Sequence, residues 1–376
     1  MTLDLHQLME VAMTHLYKHF IVAFGSNLNA ADFNDYASKK GNSGECLHFI
    51  CPVKIPDYKL VFNASSIKRK GGVLSIERSL GCVTEAGLFS ATDEGLSILR
   101  KKEGVPNKYE EIEIVVIGPE GQEIQALTYV IPEKRSEGFV RPHPEYLETC
   151  EKGLESRGIY DLENLHAAAR NEKIEPLTTM FSYGTLMRGQ SRFSTIKKHG
   201  LRAAMMAQCN GSLSTNGIYP ALNFGLNGCV WGDYYLSRNI VSLLQDTDKI
   251  EGFYGFGSSK NLFRRTITEV CTGRRIETVW TYVMDKKLIG DVPYGDWRRY
   301  NGSRSEFIDK LLKDHSSGDD RFLEKVTGEY YGWNASPDKK SLNFDDLRRL
   351  LTSEDGELTE QHIGRISNCW TAAVDF

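Results

Sequence analysis

The sequence predicts an α+β protein that is built from two tandem copies of one unit and ends in a mostly helical region. Two observations carry this prediction. The same three short motifs occur twice in the same order, and strand-like and helix-like segments follow them in the same order in both halves. Motifs repeated at such a spacing indicate a duplicated unit of roughly 120 to 150 residues.

The repeated motifs are an aromatic-Gly-hydroxyl turn after an apolar run, a later Glu-Gly pair, and a final Thr-Tyr-Val. In the first half they consist of Phe24, Gly25, Ser26, Asn27 and Leu28, then Glu103-Gly104, then Thr128-Tyr129-Val130. In the second half they consist of Tyr183, Gly184, Thr185 and Leu186, then Glu251-Gly252, then Thr281-Tyr282-Val283. Because a Gly-rich turn and a single glutamate recur together, the motifs also indicate an active site.

The first copy alternates between patterns typical of strands and of helices. Asn29 is a suitable N-cap for a helix at 29–40, and Thr92 for a second helix that reaches Lys102. A polar helical segment at 142–169 closes the copy. Apolar and β-branched runs predict strands at 20–24, 46–53, 58–63, 73–76, 86–90, 110–117 and 124–130.

The second copy repeats this order after a linker at 171–178. Helices are predicted at about 188–199 and 238–248, and strands before Gly184, around 219–220, 230 and 234–235, and at 264–270 and 277–284. Outside the copies, helices are predicted at 3–19, 307–312 and 344–351. The sequence thus predicts three regions: residues 1–170, residues 178–300, and a helical extension at 301–376.

The bulk composition is that of an ordinary soluble protein, and the cysteine usage favours the cytoplasm. A formal net charge of -4 over 376 residues gives no electrostatic reason to expect binding to nucleic acid or to an anionic membrane. No apolar run is long enough to cross a bilayer, and charged residues such as Asp4 and Glu10 interrupt the N-terminal segment. The eight scattered cysteines, without a Cys-x2-Cys pair, suit a reducing compartment.

The sequence predicts no metal and no cofactor. Cys46, His48 and Cys51 lie close together and could ligate zinc, but a fourth ligand is not evident. The segment from Gly184 to Gly189 has neither the spacing nor the lysine of a P-loop.

The turn and the glutamate of each copy suit complementary chemical roles. A strand that ends in a Gly-hydroxyl turn before a helix exposes backbone N–H groups, which can bind a carboxylate or a developing oxyanion. Glu103 and Glu251 each stand beside a glycine at the boundary between a helix and a strand. A carboxylate that is partly desolvated there would gain a raised pKa and serve as a general base near neutral pH. For any one copy, a tight turn and a surface glutamate remain the structural alternative.

The first half resembles the gamma-glutamylcyclotransferase family, and the second half resembles its shorter AIG2-like and BtrG-like relatives. The resemblance covers about residues 18–160 and 178–300. In the first half it rests on residues 24–28, Gly71-Gly72, Leu99-x3-Glu103-Gly104, Tyr109, residues 128–130 and Pro144-Glu145-Tyr146-Leu147. In the second half it rests on Tyr183-Gly184-Thr185-Leu186-x-Arg188-Gly189, Tyr219-Pro220-Ala221, Val230-x-Gly232, Asp248-x2-Glu251-Gly252 and Tyr282.

The resemblance implies two mixed β-barrels with flanking helices, each with a cavity at the barrel mouth. It implies a metal-free reaction in which the α-amine of a γ-glutamyl amide attacks its own γ-carbonyl, releasing 5-oxoproline and a free amine or amino acid, as in glutathione metabolism. Glu103 and Glu251 would be the catalytic acid/base residues. The substrate-binding residues would be Phe24, Gly25, Ser26, Asn27, Leu28, Tyr129, Tyr183, Gly184, Thr185, Leu186, Arg188 and Tyr282. The amine half of the substrate and the oligomeric state are left open.

The two halves depart from the family pattern at different places. Three residues before the glutamate, the first half has Arg100 where aspartate is usual, whereas the second half keeps Asp248. The second half lacks the Ser-Asn pair of the first. Two other functions therefore stay open: a protein that binds a small metabolite or a nucleotide-like ligand without turnover, and a scaffold for protein interactions. Which pocket is active, and what the C-terminal region does, are not decided by the sequence.

Overall fold

The computed structural model describes residues 18–40, 46–216, 219–225, 228–273 and 275–300. It divides into two compact units at the boundary between Leu177 and Thr178, with the short segment Gly255–Ser259 grouped with the first. The helices predicted at 307–312 and 344–351, and the whole region 301–376, lie outside the described residues. Of the helix predicted at 3–19, residues 3–17 also lie outside the described residues. The prediction is wrong at His19, which begins the first strand.

The first unit is a closed five-stranded barrel with the strand order β1-β3-β2-β4-β5. Neighbouring strands are antiparallel, with one exception. Strands β5 and β1, which close the barrel, are parallel and pair Leu127 with Ile21. The strands are β1 (His19–Ala23), β2 (Leu47–Ser66), β3 (Gly71–Ala91), β4 (Glu110–Ile117) and β5 (Glu123–Val130).

The second unit repeats this barrel with the order β6-β10-β7-β11-β12 and the same parallel closure, here between Met180 and Trp280. Its strands are β6 (Thr179–Ser182), β7 (Leu201–Asn210), β8 (Ser212–Thr215), β9 (Pro220–Asn223), β10 (Cys229–Ser237), β11 (Arg264–Cys271), β12 (Ile276–Val283) and β13 (Gly290–Asp291). Strands β8, β9 and β13 form a separate small sheet. The identical circular order confirms the two mixed barrels that the sequence predicts.

Helices flank both barrels. In the first unit they are α1 (Ala30–Ser38), α2 (Asp93–Glu103), α3 (Pro144–Ser156) and α4 (Leu162–Ala169), and in the second α5 (Phe193–Lys198), α6 (Ile240–Glu251) and α7 (Trp297–Tyr300). The Asn29 side chain accepts from the backbone N–H groups of Ala31 and Asp32, and Thr92 accepts from that of Gly95. Both are the N-caps that the sequence predicts. Among the described residues, no helix is long and apolar enough to cross a membrane.

Three element boundaries differ from the sequence prediction. The four short strands expected between residues 46 and 90 are two long strands, β2 and β3, which pair along most of their length. The helix expected at about 188–199 begins only at Phe193, because Gly189 takes a left-handed backbone with φ of 77°. The segment 142–169 contains two helices rather than one, separated by Gly158 with φ of 66°.

Candidate active sites

Each candidate glutamate is the last residue of a helix. α2 ends at Glu103 and α6 ends at Glu251, because the following glycine takes a left-handed backbone, with φ of 68° at Gly104 and 63° at Gly252. Glycine adopts this conformation without a Cβ clash, and the helix stops there. Since the C-terminal end of a helix carries a partial negative charge, an ionised carboxylate is disfavoured at this place. Both glutamates therefore lie where the protonated form is stabilised.

The aromatic-Gly-hydroxyl turn has the same backbone hydrogen bond in both units. The N–H of Leu28 donates to the Gly25 carbonyl at 2.9 Å, and the N–H of Met187 donates to the Gly184 carbonyl at 3.0 Å. The N–H groups between them have no acceptor within the described part of the chain; they belong to Ser26, Asn27, Thr185 and Leu186. Each turn therefore offers two backbone donors to a ligand.

The glycine of each turn packs closely against a strand. A Cβ on Gly25 would lie 3.3 Å from the Leu74 side chain, and a Cβ on Gly184 would lie 2.9 Å from the Pro220 ring. The second distance is shorter than real Cβ atoms show, so any other residue at position 184 would push the turn away from β9. Glycine thus sets the distance between the backbone donors and the barrel.

A small pocket beside Glu103 brings together most of the predicted site residues of the first unit. Its cavity volume is about 40 Å³. Leu28 does not line the pocket and is fully buried in the core. The lining consists of Phe24, Gly25, Ser26, Asn27, Glu103 and Tyr129 from the prediction, and of Val22, Ala23, Leu74, Tyr109, Thr128 and Tyr146 in addition.

A chain of polar side chains fixes the Glu103 carboxylate. Asn27 donates from Nδ2 to Glu103 Oε1 at 2.9 Å, and its Oδ1 accepts from Lys102 Nζ at 2.6 Å. Because an ammonium group can only donate, the lysine sets the orientation of the Asn27 amide. Lys102 also donates to Asp32 Oδ2 at 2.8 Å, and Arg69 donates to the same oxygen at 2.8 Å.

The two carboxyl groups of this network have pKa values that move in opposite directions. Burial raises the pKa of Glu103, and the charge of Lys102 and the hydrogen bond from Asn27 only partly oppose the rise. Burial also acts to raise the pKa of Asp32, but its contacts with Arg69 and Lys102 outweigh this effect and lower it. Asp32 is therefore a permanent counterion, whereas Glu103 can take up a proton.

Two tyrosines that the prediction did not assign to the site frame the first pocket. Tyr109 donates from its hydroxyl to the Leu74 carbonyl at 3.2 Å, and the Tyr146 hydroxyl accepts from the Leu74 N–H at 3.3 Å. They hold the backbone of β3 where it faces the turn. Tyr129, which the prediction did include, lines the pocket but donates its hydroxyl to Glu111 at 3.0 Å.

Glu251 of the second unit has simpler surroundings. The side chain is partly buried, and it makes no hydrogen bond or ion pair with any residue that the structure describes. Burial raises the pKa of Glu251 to about 7, against a smaller opposing effect of the Arg192 charge. A carboxylate with this pKa is half ionised at neutral pH, which suits a group that must both accept and return a proton.

Tyr183 is buried near Glu251, and Tyr183 and Tyr282 are both buried and hydrogen-bonded within the barrel. Tyr183 donates from its hydroxyl to the Tyr282 carbonyl at 2.7 Å, and burial followed by the Glu251 charge raises the pKa of Tyr183. The Tyr282 hydroxyl donates to Asp248 at 2.7 Å and also contacts the Thr247 hydroxyl at 2.7 Å. The ring of Tyr183 therefore forms part of the apolar surroundings of Glu251, whereas the Tyr282 hydroxyl is engaged away from it.

The remaining predicted residues of the second unit divide into two groups. The carbonyl of Thr185 accepts from the Arg192 N–H at 2.9 Å, and the carbonyl of Leu186 accepts from the Tyr235 hydroxyl at 3.0 Å, so both belong to the turn. The structure does not bring Arg188 to Glu251. Its guanidinium donates to the buried Asp233 at 2.9 Å. Asp233 also accepts from the backbone N–H of Arg188 at 2.7 Å. Arg188 thus fastens the turn to β10.

Two of the aligned positions at which the sites differ concern the hydrogen bonds around the catalytic carboxylate. Counted from the turn glycine, Asn27 corresponds to Leu186, and counted from the catalytic glutamate, Lys102 corresponds to Ile250. Asn27 donates to Glu103 and Lys102 donates to Asn27, and both positions are aliphatic in the second unit. This exchange agrees with the absence of a hydrogen bond to the Glu251 carboxylate among the described residues and with its pKa of about 7.

Comparison with known families matches the second unit. Residues 180–299 match the family model described as "Gamma-glutamyl cyclotransferase, AIG2-like". The second unit contains an AIG2-like gamma-glutamyl cyclotransferase domain. A relative of this domain is the gamma-L-glutamyl-butirosin B gamma-glutamyl cyclotransferase of Niallia circulans, which is 25% identical over 134 residues, covering 36% of the present chain and 84% of the relative.

Solved structures with some likeness to the chain include an uncharacterised human protein, which is 26% identical over 42% of this chain and 88% of its own, with a TM-score of 0.35. A gamma-glutamyl cyclotransferase has 24% identity and the same coverage and TM-score. YkqA from Bacillus subtilis is 14% identical and covers 80% of this chain and 98% of its own, with a TM-score of 0.31. The assignment of the AIG2-like domain depends on the sequence match over residues 180–299.

Proposed function

We propose that the chain cyclises γ-glutamyl amides or peptides and that the AIG2-like domain performs the reaction with Glu251 as the acid/base. The α-amine nitrogen of the γ-glutamyl group attacks its γ-carbonyl carbon and forms the C–N bond of 5-oxoproline. The C–N bond to the leaving amine breaks. The α-ammonium nitrogen gives up two protons as it becomes the lactam N–H. Glu251 takes one of them and delivers it to the leaving nitrogen, and the released amine takes up the other and departs as an ammonium ion, so that no proton is gained or lost overall.

The observation that carries the proposal is the Glu251 carboxylate, with its pKa of about 7 and without a hydrogen-bond partner among the described residues. A base with this pKa can accept the ammonium proton and return it within one turnover. The reaction is intramolecular, so it needs orientation rather than an external nucleophile. The N–H groups of Thr185 and Leu186, which have no acceptor among the described residues, are suited to hold the oxyanion or the substrate α-carboxylate.

Glu103 is proposed as the corresponding acid/base of the first unit. Its pKa is also raised, and the N–H groups of Ser26 and Asn27, which no described residue accepts from, offer the same donors. The hydrogen bond from Asn27 favours the ionised form of Glu103 and opposes the return of the proton. We therefore propose that the second unit supplies most of the turnover.

The test is the formation of 5-oxoproline by the full chain from a γ-glutamyl dipeptide and from a γ-glutamyl amine, followed by chromatography. Glu251→Gln should lower kcat by about 100- to 10,000-fold in the second pocket, because it removes general acid–base catalysis and leaves binding intact. Glu103→Gln should have the smaller effect, and the double variant should be inactive. The matched controls are Glu269→Gln and Glu110→Gln, which change exposed glutamates on neighbouring strands.

Full activity in the double variant would overturn the proposed mechanism. If no γ-glutamyl compound is converted but a metabolite raises the thermal stability of the chain, the pocket binds without turnover. If neither happens, the chain is a scaffold rather than an enzyme.

A further inference from the structure

In each unit an arginine lies beside the Gly-hydroxyl turn, and the two arginines differ in the groups that neutralise them. In the first unit the Arg69 guanidinium donates to Asp32 at 2.8 Å and lies over the ring of Tyr146 at 5.0 Å. It also approaches the Ser26 hydroxyl at 3.4 Å. The charge of Arg69 is thus balanced within the network around Glu103.

In the second unit, the arginine beside the turn is Arg192, which immediately precedes α5. Its backbone N–H donates to the Thr185 carbonyl at 2.9 Å, which fixes its Cα against the Gly-hydroxyl turn. The residue is exposed, and no carboxylate pairs with its guanidinium anywhere in the described part of the chain. Its positive charge nevertheless acts on the Glu251 carboxylate. The second site therefore has an exposed arginine beside its turn that no carboxylate among the described residues neutralises.

The chemistry of the proposed reaction indicates which part of a substrate would meet this arginine. The γ-glutamyl group carries the α-ammonium that Glu251 must deprotonate, so this group would lie against Glu251 with its α-carboxylate near the backbone donors of the turn. The leaving part is joined to the γ-carbonyl and extends toward solvent, where Arg192 is exposed. A carboxylate on the leaving part would there gain a charge-assisted hydrogen bond, and a cationic leaving part would be repelled.

We infer that Arg192 is a specificity-determining residue that binds a carboxylate on the leaving part of the substrate, so that the AIG2-like domain prefers γ-glutamyl-amino acids to γ-glutamyl amines. This inference rests on the proposed function. The preference inferred for this chain is for γ-glutamyl-amino acids, whereas its relative in Niallia circulans is named for γ-glutamyl-butirosin B.

The experiment compares two substrates that differ only in the charge of the leaving part, γ-glutamyl-alanine and γ-glutamyl-alaninamide. It uses the full chain with Glu103→Gln, so that the second pocket alone is measured. We expect kcat/KM to favour the carboxylate about tenfold. Arg192→Gln should remove most of this preference by slowing γ-glutamyl-alanine alone, and Arg192→Lys should keep part of it because the charge is retained.

Two controls separate this role from a general electrostatic effect. Arg202→Gln removes an exposed positive charge elsewhere on the second unit and should leave the preference unchanged. Arg69→Gln, placed in the Glu251→Gln background, tests the neutralised arginine of the first unit and should change the preference there less than Arg192→Gln does in the second. An equal loss for both substrates in Arg192→Gln would mean that Arg192 binds the shared γ-glutamyl group, which overturns the inference.

A binding measurement keeps the inference separate from the proposed function. In the Glu103→Gln, Glu251→Gln double variant, calorimetry should show tighter binding of γ-glutamyl-alanine than of its amide, and Arg192→Gln should abolish the difference. If the parent chain turns over neither compound but this difference is found, the proposed function fails and the role of Arg192 stands. If the two compounds bind equally, or neither binds, the role of Arg192 is wrong whatever the kinetics show.

Discussion

Arg100 donates two hydrogen bonds to Glu111, at 2.8 Å from Nε and 2.6 Å from a terminal nitrogen, and Tyr129 donates to the same carboxylate. The second unit has the same arrangement with the charges exchanged. Asp248 accepts from Arg265 at 3.0 Å and from the Tyr282 hydroxyl at 2.7 Å.

The positions of these pairs correspond along the chain. Arg100 and Asp248 each stand three residues before the candidate glutamate. Glu111 is directly opposite Tyr129 across β4 and β5, and Arg265 is directly opposite Tyr282 across β11 and β12. The arginine that departs from the family pattern is therefore compensated by a glutamate on the facing strand, so the departure is not a sign that the first site is lost.

The first prediction concerns this exchange. Arg100→Asp places two carboxylates together and should lower the free energy of unfolding of the first unit by about 1 kcal/mol, a modest value because Arg100 is half exposed. Adding Glu111→Arg recreates the order of the second unit and should recover most of the loss. Urea unfolding of the single and double variants measures both effects. A double variant no more stable than Arg100→Asp would show that the two arrangements are not equivalent.

The second prediction compares the two pairs. Arg265 is almost fully buried and lies 5.0 Å from the rings of both Phe253 and Trp280, whereas Arg100 is 46% exposed. Removing one partner of a buried pair leaves a charge that water cannot reach, at a cost of about 3 kcal/mol or more. Asp248→Asn should therefore destabilise its unit several-fold more than Arg100→Gln destabilises the first. Equal losses in urea unfolding would contradict the difference in burial.

The sequence predicts the duplicated barrel because the motifs keep their order. It divides the two long strands β2 and β3 into four short ones, which is wrong. β2 contains Pro52, Pro56 and Asp57, residues typical of turns, and Asp57 has a positive φ of 59°. The strand continues through them because its register with β3 shifts at bulges, one of them between Pro56 and Tyr58. A bulge is stabilised by the partner strand, and a local pattern does not contain that information.

The glutamates and the turns of the candidate sites could be predicted because each is a short local motif. The network of Asp32, Arg69 and Lys102 could not, because its members come from a helix, a hairpin and a second helix that only the barrel brings together. Arg188 is the opposite case. It belongs to a motif of the family that the sequence resembles, but its guanidinium donates to Asp233. Motif membership alone does not separate a residue that contacts substrate from one that fastens the turn.

The third prediction concerns Asp161, a buried carboxyl that accepts hydrogen bonds from the Glu85 N–H at 3.2 Å and from Asn164 Nδ2 at 2.7 Å. Burial raises its pKa from 3.8 to about 7. The folded state thus binds a proton more tightly than the unfolded state. The stability from this group is complete below pH 4, is lost as the pH rises to about 7, and stays lost above it.

The magnitude of this loss is on the order of 4 kcal/mol at most, since one pKa unit corresponds to about 1.4 kcal/mol. Asp161→Asn cannot ionise, so its difference in unfolding free energy from the parent chain should change between pH 4 and pH 7 in favour of the variant. Urea unfolding at pH 4.5, 6 and 8 measures this. A difference that does not vary with pH would show that Asp161 is ionised in the folded protein throughout.

The last prediction tests whether residue 186 sets the pKa of Glu251. With the first pocket silenced by Glu103→Gln, kcat/KM should rise with pH and reach half its plateau near pH 7, because Glu251 must be ionised to accept the proton. Leu186→Asn places an amide where the first unit has Asn27. A donor to the ionised carboxylate lowers its pKa, so the midpoint should move down by up to about one pH unit.

The plateau of kcat in the same variant should fall as well, because a less basic Glu251 accepts the ammonium proton less readily. Leu186→Gln, whose longer side chain places its amide elsewhere, is the control for added polarity. An unchanged midpoint in Leu186→Asn, with the fold intact by circular dichroism, would mean that residue 186 does not set the pKa of Glu251. The aliphatic exchange at positions 186 and 250 would then not account for the difference between the two pockets.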